Sequence, residues 1–355
     1  MRPYYYSLNE YLKETYGTKL YKLALDGGMS CPNRDGRIDS RGCIFCSAGG
    51  SGDFSGNSLN ALNALGGRIS NNQALTMQSA AGLTTELTPQ RHIADTNSRL
   101  SATSSPLLRP IVDTDAQLAA ARQLIADKYN GTQYIAYFQS YTNTYADTDY
   151  LRRLFYPVIE RDDIRILSIA TRPDCLPPET IQLLHELNRI KPVWIELGLQ
   201  TVHEATAKYI RRGYELSVFE KAVDRLSSIG IKPIVHMIIG LPKETEDMIM
   251  DTADYIAHCG AAGIKLQLLH VLKGTDLASD YERGYFKALS LETYIRYLGE
   301  IIRLLPENMV IHRLTGDGPK NLLIAPEWSA DKKNVLNRVN SYFKDNNIYQ
   351  GRNYK

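Results

Sequence analysis

"SCPNRDGRIDSRGCIFCSAGG" (Ser30–Gly50) places three of the chain's five cysteines within one short loop, at 31, 43 and 46. It follows "KLALDGG" (Lys22–Gly28), an apolar run closed by Asp-Gly-Gly, which reads as a strand ending in a tight turn. No apolar run approaches the ~20 residues of a membrane span, and the N-terminal "MRPYYYSLNEYLKETYG" lacks a signal-peptide core, so a cytoplasmic protein is expected. In that reducing compartment, clustered thiols bind metal or carry redox chemistry rather than form disulfides. Cys175 in "TRPDCLPP" and Cys259 in "IAHCGAAG" stand alone and read as small buried side chains.

Outward from the loop, a regular alternation begins near residue 113. Helical stretches such as "DTDAQLAAARQLIADKYNG" and "DTDYLRRLFYPVIE" alternate with the apolar runs "QYIAYFQ", "IRILSIAT", "VWIELGLQ", "KPIVHMIIG" and "GIKLQLLHV". With "KLALDGG" this makes six strands, whose near-continuous apolar character suits a parallel sheet covered on both faces. Right-handed crossovers wind such units into a barrel or an open sheet. In a β/α barrel the reactive groups sit at the C-terminal strand ends, where the thiol loop and the polar clusters fall.

The rest of the chain sorts by composition. Residues 1–22 read as an N-terminal helical extension and 23–272 as the barrel. Residues 273–355 read as a small C-terminal α/β extension ending in a basic tail with interleaved aromatics. About 49–110 is rich in Ser, Asn, Gly, Ala and Thr and reads as a flexible insertion. The net charge of +2 gives no global field directed at nucleic acid or membrane. The tail, with Lys332, Lys333, Arg338, Lys344, Arg352 and Lys355, reads first as a solvated amphipathic helix and second as an RNA contact.

Structural zinc calls for four closed ligands, and no histidine lies near these three cysteines. A Cys43/Cys46 dithiol leaves Cys31 unexplained. A cluster held by three thiolates, with one iron open, accounts for all three.

The order "CPNRDGRIDSRGCIFC", "YFQSYTNTYA", "TRPDCLPPE", "WIELGLQT", "GLPKET", "GIKLQLLHVLKGT" and "HRLTGDGPKNLLIAP" resembles the YhcC-type branch of radical SAM enzymes, related to the elongator catalytic subunit. The resemblance implies a partial (β/α)6 TIM-like barrel. It also implies a [4Fe–4S] cluster on Cys31, Cys43 and Cys46, with S-adenosylmethionine cleaved reductively to a 5′-deoxyadenosyl radical. A one-electron donor such as flavodoxin or ferredoxin would be the partner.

By the same resemblance, Phe45 lies beside the adenine, and the segment Gln139–Thr144 meets the cofactor's amine through backbone or through Ser140, Thr142 and Thr144. The glutamate usual in that segment is absent here. Gln200 stands at the ribose position, Arg212 at the carboxylate position, and Gly240, Leu241 and Pro242 approach the adenine. Arg172 either meets a carboxylate or locks Asp174, while Glu196 shares a strand face with Gly198 and Gln200.

Lys265, an ammonium inside an apolar strand, requires a partner, and substrate is the expected one. With His236 and His270 it completes the catalytic candidates, although His236 reads first as a satisfied core histidine. Substrate is not written in the motifs. Kinship with the elongator subunit points toward an RNA base, tRNA first. The alternatives are a non-enzymatic, metal-stabilised RNA-binding protein and a thiol redox sensor.

Overall fold

The computed structural model describes residues 4–50, 111–316 and 318–355. The insertion expected over 49–110 therefore lies outside the described residues from 51 onward. The six expected strands are present as β1 (Tyr21–Leu25), β2 (Tyr134–Phe138), β3 (Ile164–Thr171), β4 (Val193–Gln200), β5 (Ile234–Ile239) and β6 (Gly263–Leu268). A short β7 (Val271–Leu272) follows, then β8 (Val310–Arg313) and β9 (Leu323–Ala325).

One sheet runs in the order β1-β2-β3-β4-β5-β6-β8, and every pairing in it is parallel. The seventh strand, β8, was expected only as part of the C-terminal extension, yet it pairs directly with β6. The run read as one strand through Val271 breaks after Leu268, and β7 instead pairs antiparallel with β9.

Neighbouring strands lie about 4.8 Å apart, so β1 and β4 would be separated by about 14 Å in a flat sheet. Lys22 on β1 nonetheless reaches Glu196 on β4 at 2.8 Å, and Lys265 on β6 reaches Tyr137 on β2 at 2.9 Å. These contacts are possible only because the sheet curls, and its concave face becomes the interior of a partial barrel. Along the edge strand β8, Ile311 N–H donates to Tyr6 O at 2.8 Å, so the N-terminal segment covers that edge.

The crossover helices wrap the convex face. Thr114–Ile125, Thr148–Ile159 and Glu246–His258 start where the sequence supplies a capping oxygen: Asp113, Asp147 and Thr245 each accept the N3 backbone N–H. Their apolar stripes pack a continuous core that includes Leu151, Leu154, Phe155 and Ile256. The terminal helix Lys332–Asp345 buries Val335, Val339 and Phe343, and Arg338 pairs with Glu292 at 2.9 Å. That fits the amphipathic reading of the tail. No helix among the described residues is long and apolar enough to cross a membrane.

Candidate functional site

The thiol loop holds its shape through its own backbone. Arg34 N–H donates to Cys31 O (2.8 Å), Ile38 N–H to Pro32 O (2.8 Å), Gly42 N–H to Asn33 O (2.6 Å) and Cys46 N–H to Cys43 O (3.0 Å). The Arg34 guanidinium ties the end of the loop by donating to Cys46 O (3.1 Å) and Ser47 O (2.5 Å). Asn33, wholly buried, gives Nδ2 protons to Cys43 Sγ (3.3 Å) and Arg211 O (2.6 Å). Tyr141, at a left-handed φ of 56°, anchors the far side through its hydroxyl on Ala48 O (2.7 Å).

Cys31, Cys43 and Cys46 thereby line one cavity of roughly 300 Å³, bounded by residues from the seven strands β2 to β8 and from the loops that follow them. Burial, then the neighbouring Cys46 and Cys31, pushes the Cys43 thiol up to about 12. A cationic centre reverses that balance, because the thiolate is the ligand. Among the described residues, no three His, Cys, Asp or Glu side chains are placed to hold a single metal ion. Three cysteine thiols on one cavity are a donor set that fits a polynuclear cluster, in which each would take a different iron. The donor set therefore suits a [4Fe–4S] group better than one tetrahedral zinc.

The structure divides the expected cofactor residues. Phe45, Gln139, Thr142, Arg172, Glu196, Gln200 and Arg212 all line the thiol cavity. Gln200 ends β4 at φ 70°, and its buried Oε1 has no hydrogen-bond partner, an acceptor well suited to a hydroxyl-bearing ligand. Ser140 Oγ is also buried and unpaired.

Three expectations change, and one alternative is resolved. Thr144 is a structural tie: its Oγ1 sits 2.6 Å from Thr171 Oγ1 and 2.5 Å from Cys175 O. Arg212 spends its guanidinium on Tyr214 O, Thr201 O, Leu199 O and Glu204, so it buckles the β4 loop rather than offering a fork to a carboxylate. Of the two expected roles of Arg172, the structure shows the lock on Asp174, through two bonds of 2.8 and 2.7 Å. Gly240, Leu241 and Pro242 do not line the cavity. Leu241 packs with Ile44, Ile210 and Phe45 behind the thiol loop.

Deeper in the barrel lies a buried ionic layer. Glu196, its side chain fully buried, accepts from Lys22 Nζ (2.8 Å), Ser168 Oγ (2.9 Å), His236 Nε2 (2.8 Å) and Lys265 Nζ. Lys265 also donates to Tyr137 Oη at 2.9 Å, and both lysines lie against the Tyr137 ring, 4.5 and 4.4 Å from its centroid. Burial opposes the Glu196 charge, but Lys22 and Lys265 and the His236 bond hold it well below the ordinary range. Lys265 was expected to await substrate; its partners are Glu196 and Tyr137. His236 is part of this layer and also faces the cavity, as does His270.

Lys22, Tyr137 and Ser168 were missed by sequence reasoning. Lys22 was detectable, since it interrupts an apolar strand just as Lys265 does; the tyrosine and serine carry no such signal.

Burial, followed by the nearby Lys265 charge, lowers the His236 imidazole to about 4 against 6.5. Between those values the unfolded chain binds a proton that the folded chain refuses, so stability is lost as pH falls from 6.5 toward 4. The groups facing this imidazole are Glu196, Lys265, Lys22, Arg313 and His312. Denaturant unfolding across pH 7 to 4 will therefore show a slope that falls by about one proton in His236→Asn, worth about 3 kcal/mol across the window. An unchanged slope would mean that His236 is charged in the folded state.

Residues 40–256 match the family model described as the Radical SAM superfamily, and 261–345 match that of the Radical_SAM C-terminal domain. The chain is 39% identical to YtqA of Bacillus subtilis over 98% of its own length and 92% of that protein's. It is 30% identical to YhcC of Escherichia coli over 95% and 91% of the two chains. A tRNA uridine(34) acetyltransferase of Methanocaldococcus infernus matches at 26% identity over 44% of this chain and 30% of that protein. The solved structure of Elp3 from that archaeon superposes with a TM-score of 0.56 over 65% of this chain and 58% of that one, at 20% identity.

Proposed function

The chain belongs to the radical SAM superfamily, in the branch of YhcC, and on that premise we propose that it cleaves S-adenosylmethionine reductively at a cluster held by Cys31, Cys43 and Cys46, in order to modify an RNA base, tRNA first. The observation that carries this reading is the placement of all three thiols on one cavity at the C-terminal end of a curled parallel sheet. When bound, the [4Fe–4S] cluster and S-adenosylmethionine supply one-electron cleavage of a carbon–sulfur bond and hydrogen abstraction from the substrate.

The chain's residues position these groups and exclude water. Arg34, Asn33 and Tyr141 fix the thiol loop, and Asn33 Nδ2 donates to Cys43 sulfur, a contact that tunes an iron–sulfur centre. We assign Phe45, Gln139, Thr142 and Gln200 to the nucleoside and amino-acid ends of S-adenosylmethionine, because they share the cavity with the thiols. The electron comes from a small redox protein of the flavodoxin or ferredoxin kind. An RNA substrate is supported by the partial match to a tRNA uridine(34) acetyltransferase.

Anaerobic reconstitution with iron and sulfide, then reduction with S-adenosylmethionine present, will release 5′-deoxyadenosine. Mass spectrometry of tRNA nucleosides from cells with and without the gene will reveal a missing or altered nucleoside. No deoxyadenosine overturns the reaction; an unchanged nucleoside profile overturns the substrate.

A further inference from the structure

Strands β5 and β6 set three polar side chains against the cavity: His236, Lys265 and Gln267. His236 and Lys265 are register partners on adjacent strands, and Gln267 lies two residues along β6 from Lys265, on the same face. Their hydrogen-bonding states follow from what they already touch. Glu196 is a carboxylate and can only accept, so the proton on the His236 ring is on Nε2, and Nδ1 carries a lone pair.

That Nδ1 has no partner among the described residues. It is not among the sealed, unpaired polar atoms, and the side chain keeps 15% exposure on the cavity side. Burial draws the Lys265 ammonium down and the touching Glu196 carboxylate opposes that; as the ion-paired ammonium, Lys265 donates to Glu196 and Tyr137 and keeps one proton uncommitted. Gln267 makes no hydrogen bond to any described residue, and Ile238 offers an apolar surface beside it.

The wall thus presents an acceptor beside donors, over an apolar side. A hydrocarbon would leave His236 Nδ1, the spare Lys265 proton and the Gln267 amide unpaired, which is costly in a buried site. A carboxylate or phosphate would set its own lone pairs against Nδ1, and that imidazole resists the proton needed to relieve the clash. The complementary group is planar, with an N–H next to a carbonyl.

We propose that His236, Lys265 and Gln267 form the substrate-recognition wall and take a lactam or imide edge, His236 Nδ1 accepting its N–H and Lys265 Nζ donating to its carbonyl. This rests on the reading of the substrate as a nucleobase and narrows it to a base that carries such an edge. Glu196 is then a positioning residue: it fixes the imidazole tautomer and neutralises one lysine.

The test is equilibrium dialysis of anaerobically reconstituted, S-adenosylmethionine-loaded protein against labelled uracil, the smallest base with this edge. 1,3-Dimethyluracil, which lacks both N–H groups, and acetate serve as competitors. Uracil will be retained at least tenfold more tightly than dimethyluracil, and acetate will not displace it. His236→Asn and Lys265→Met will each weaken retention at least tenfold, and the comparison of probes on the unmodified protein stands even if a variant fails to fold. Equal retention of the two pyrimidines, displacement by acetate, no retained uracil at millimolar concentration, or unchanged retention in both folded variants overturns the proposal. An altered tRNA nucleoside with no uracil retention sinks this wall alone, whereas uracil retention with an unchanged tRNA profile sinks the RNA substrate and leaves the wall.

Discussion

Replacing any one of Cys31, Cys43 or Cys46 by alanine will abolish both the brown chromophore and the release of 5′-deoxyadenosine, whereas Cys175→Ala and Cys259→Ala will keep both. The three thiols come from one loop whose fold depends on short backbone bonds between residues 31 and 46. In the proposed cluster each would hold a different iron, so losing one would leave a second iron without a protein ligand. Cys175 is buried beside Asp174, outside the cavity lining, and Cys259 ends the helix Glu246–His258 with its thiol on Ile256 O at 3.3 Å.

Iron and sulfide per chain, the visible absorbance and deoxyadenosine yield are the measurements, and the loss in turnover should exceed a thousandfold. A redox-sensor function predicts the opposite pattern, with Cys31→Ala harmless and the Cys43–Cys46 couple intact. A stoichiometric single zinc ion that survives Cys31→Ala would remove the enzyme reading altogether.

The six strands were legible because a parallel strand buried on both faces is a short, nearly unbroken apolar run, and "IRILSIAT" or "GIKLQL" has no other economical reading. The membership of β8 in the sheet was not legible: four residues, two of them His312 and Arg313, look like a peripheral strand until the curl brings them beside Lys265. That Cys31, Cys43 and Cys46 share one cavity was legible from their clustering alone.

Partner identity was the level at which reading failed. A lysine within an apolar strand announces that it needs a counter-charge. It does not announce that this charge sits on β4, two strands away, and is shared with a second lysine on β1. Arg212 failed for a related reason. Its residue type suits a carboxylate, yet the backbone carbonyls of its own loop claim it first.

Glu196→Gln will cost about 3–5 kcal/mol of unfolding free energy, more than any single lysine change in the same layer. One carboxylate offsets two ammonium groups, and its side chain is fully buried whereas that of Lys22 is 22% exposed. Glutamine keeps the shape but removes the charge and turns an N–H₂ toward groups that donate. Lys22, Lys265 and His236 Nε2 are left competing for one amide oxygen, so buried donors go unpaired and two positive charges face each other.

Lys265→Met will cost less, because Glu196 retains Lys22, Ser168 and His236. The double change Glu196→Gln/Lys265→Met will cost less than the sum of the two, since removing the second ammonium relieves the repulsion that the first change created. Denaturant unfolding at pH 7 of the unmodified protein, both single variants and the double variant gives this coupling directly. Additive costs, or a loss below about 1 kcal/mol for Glu196→Gln, would mean that the layer is hydrated rather than dry. In that case Lys265 and His236 would be less firmly fixed than the recognition wall requires.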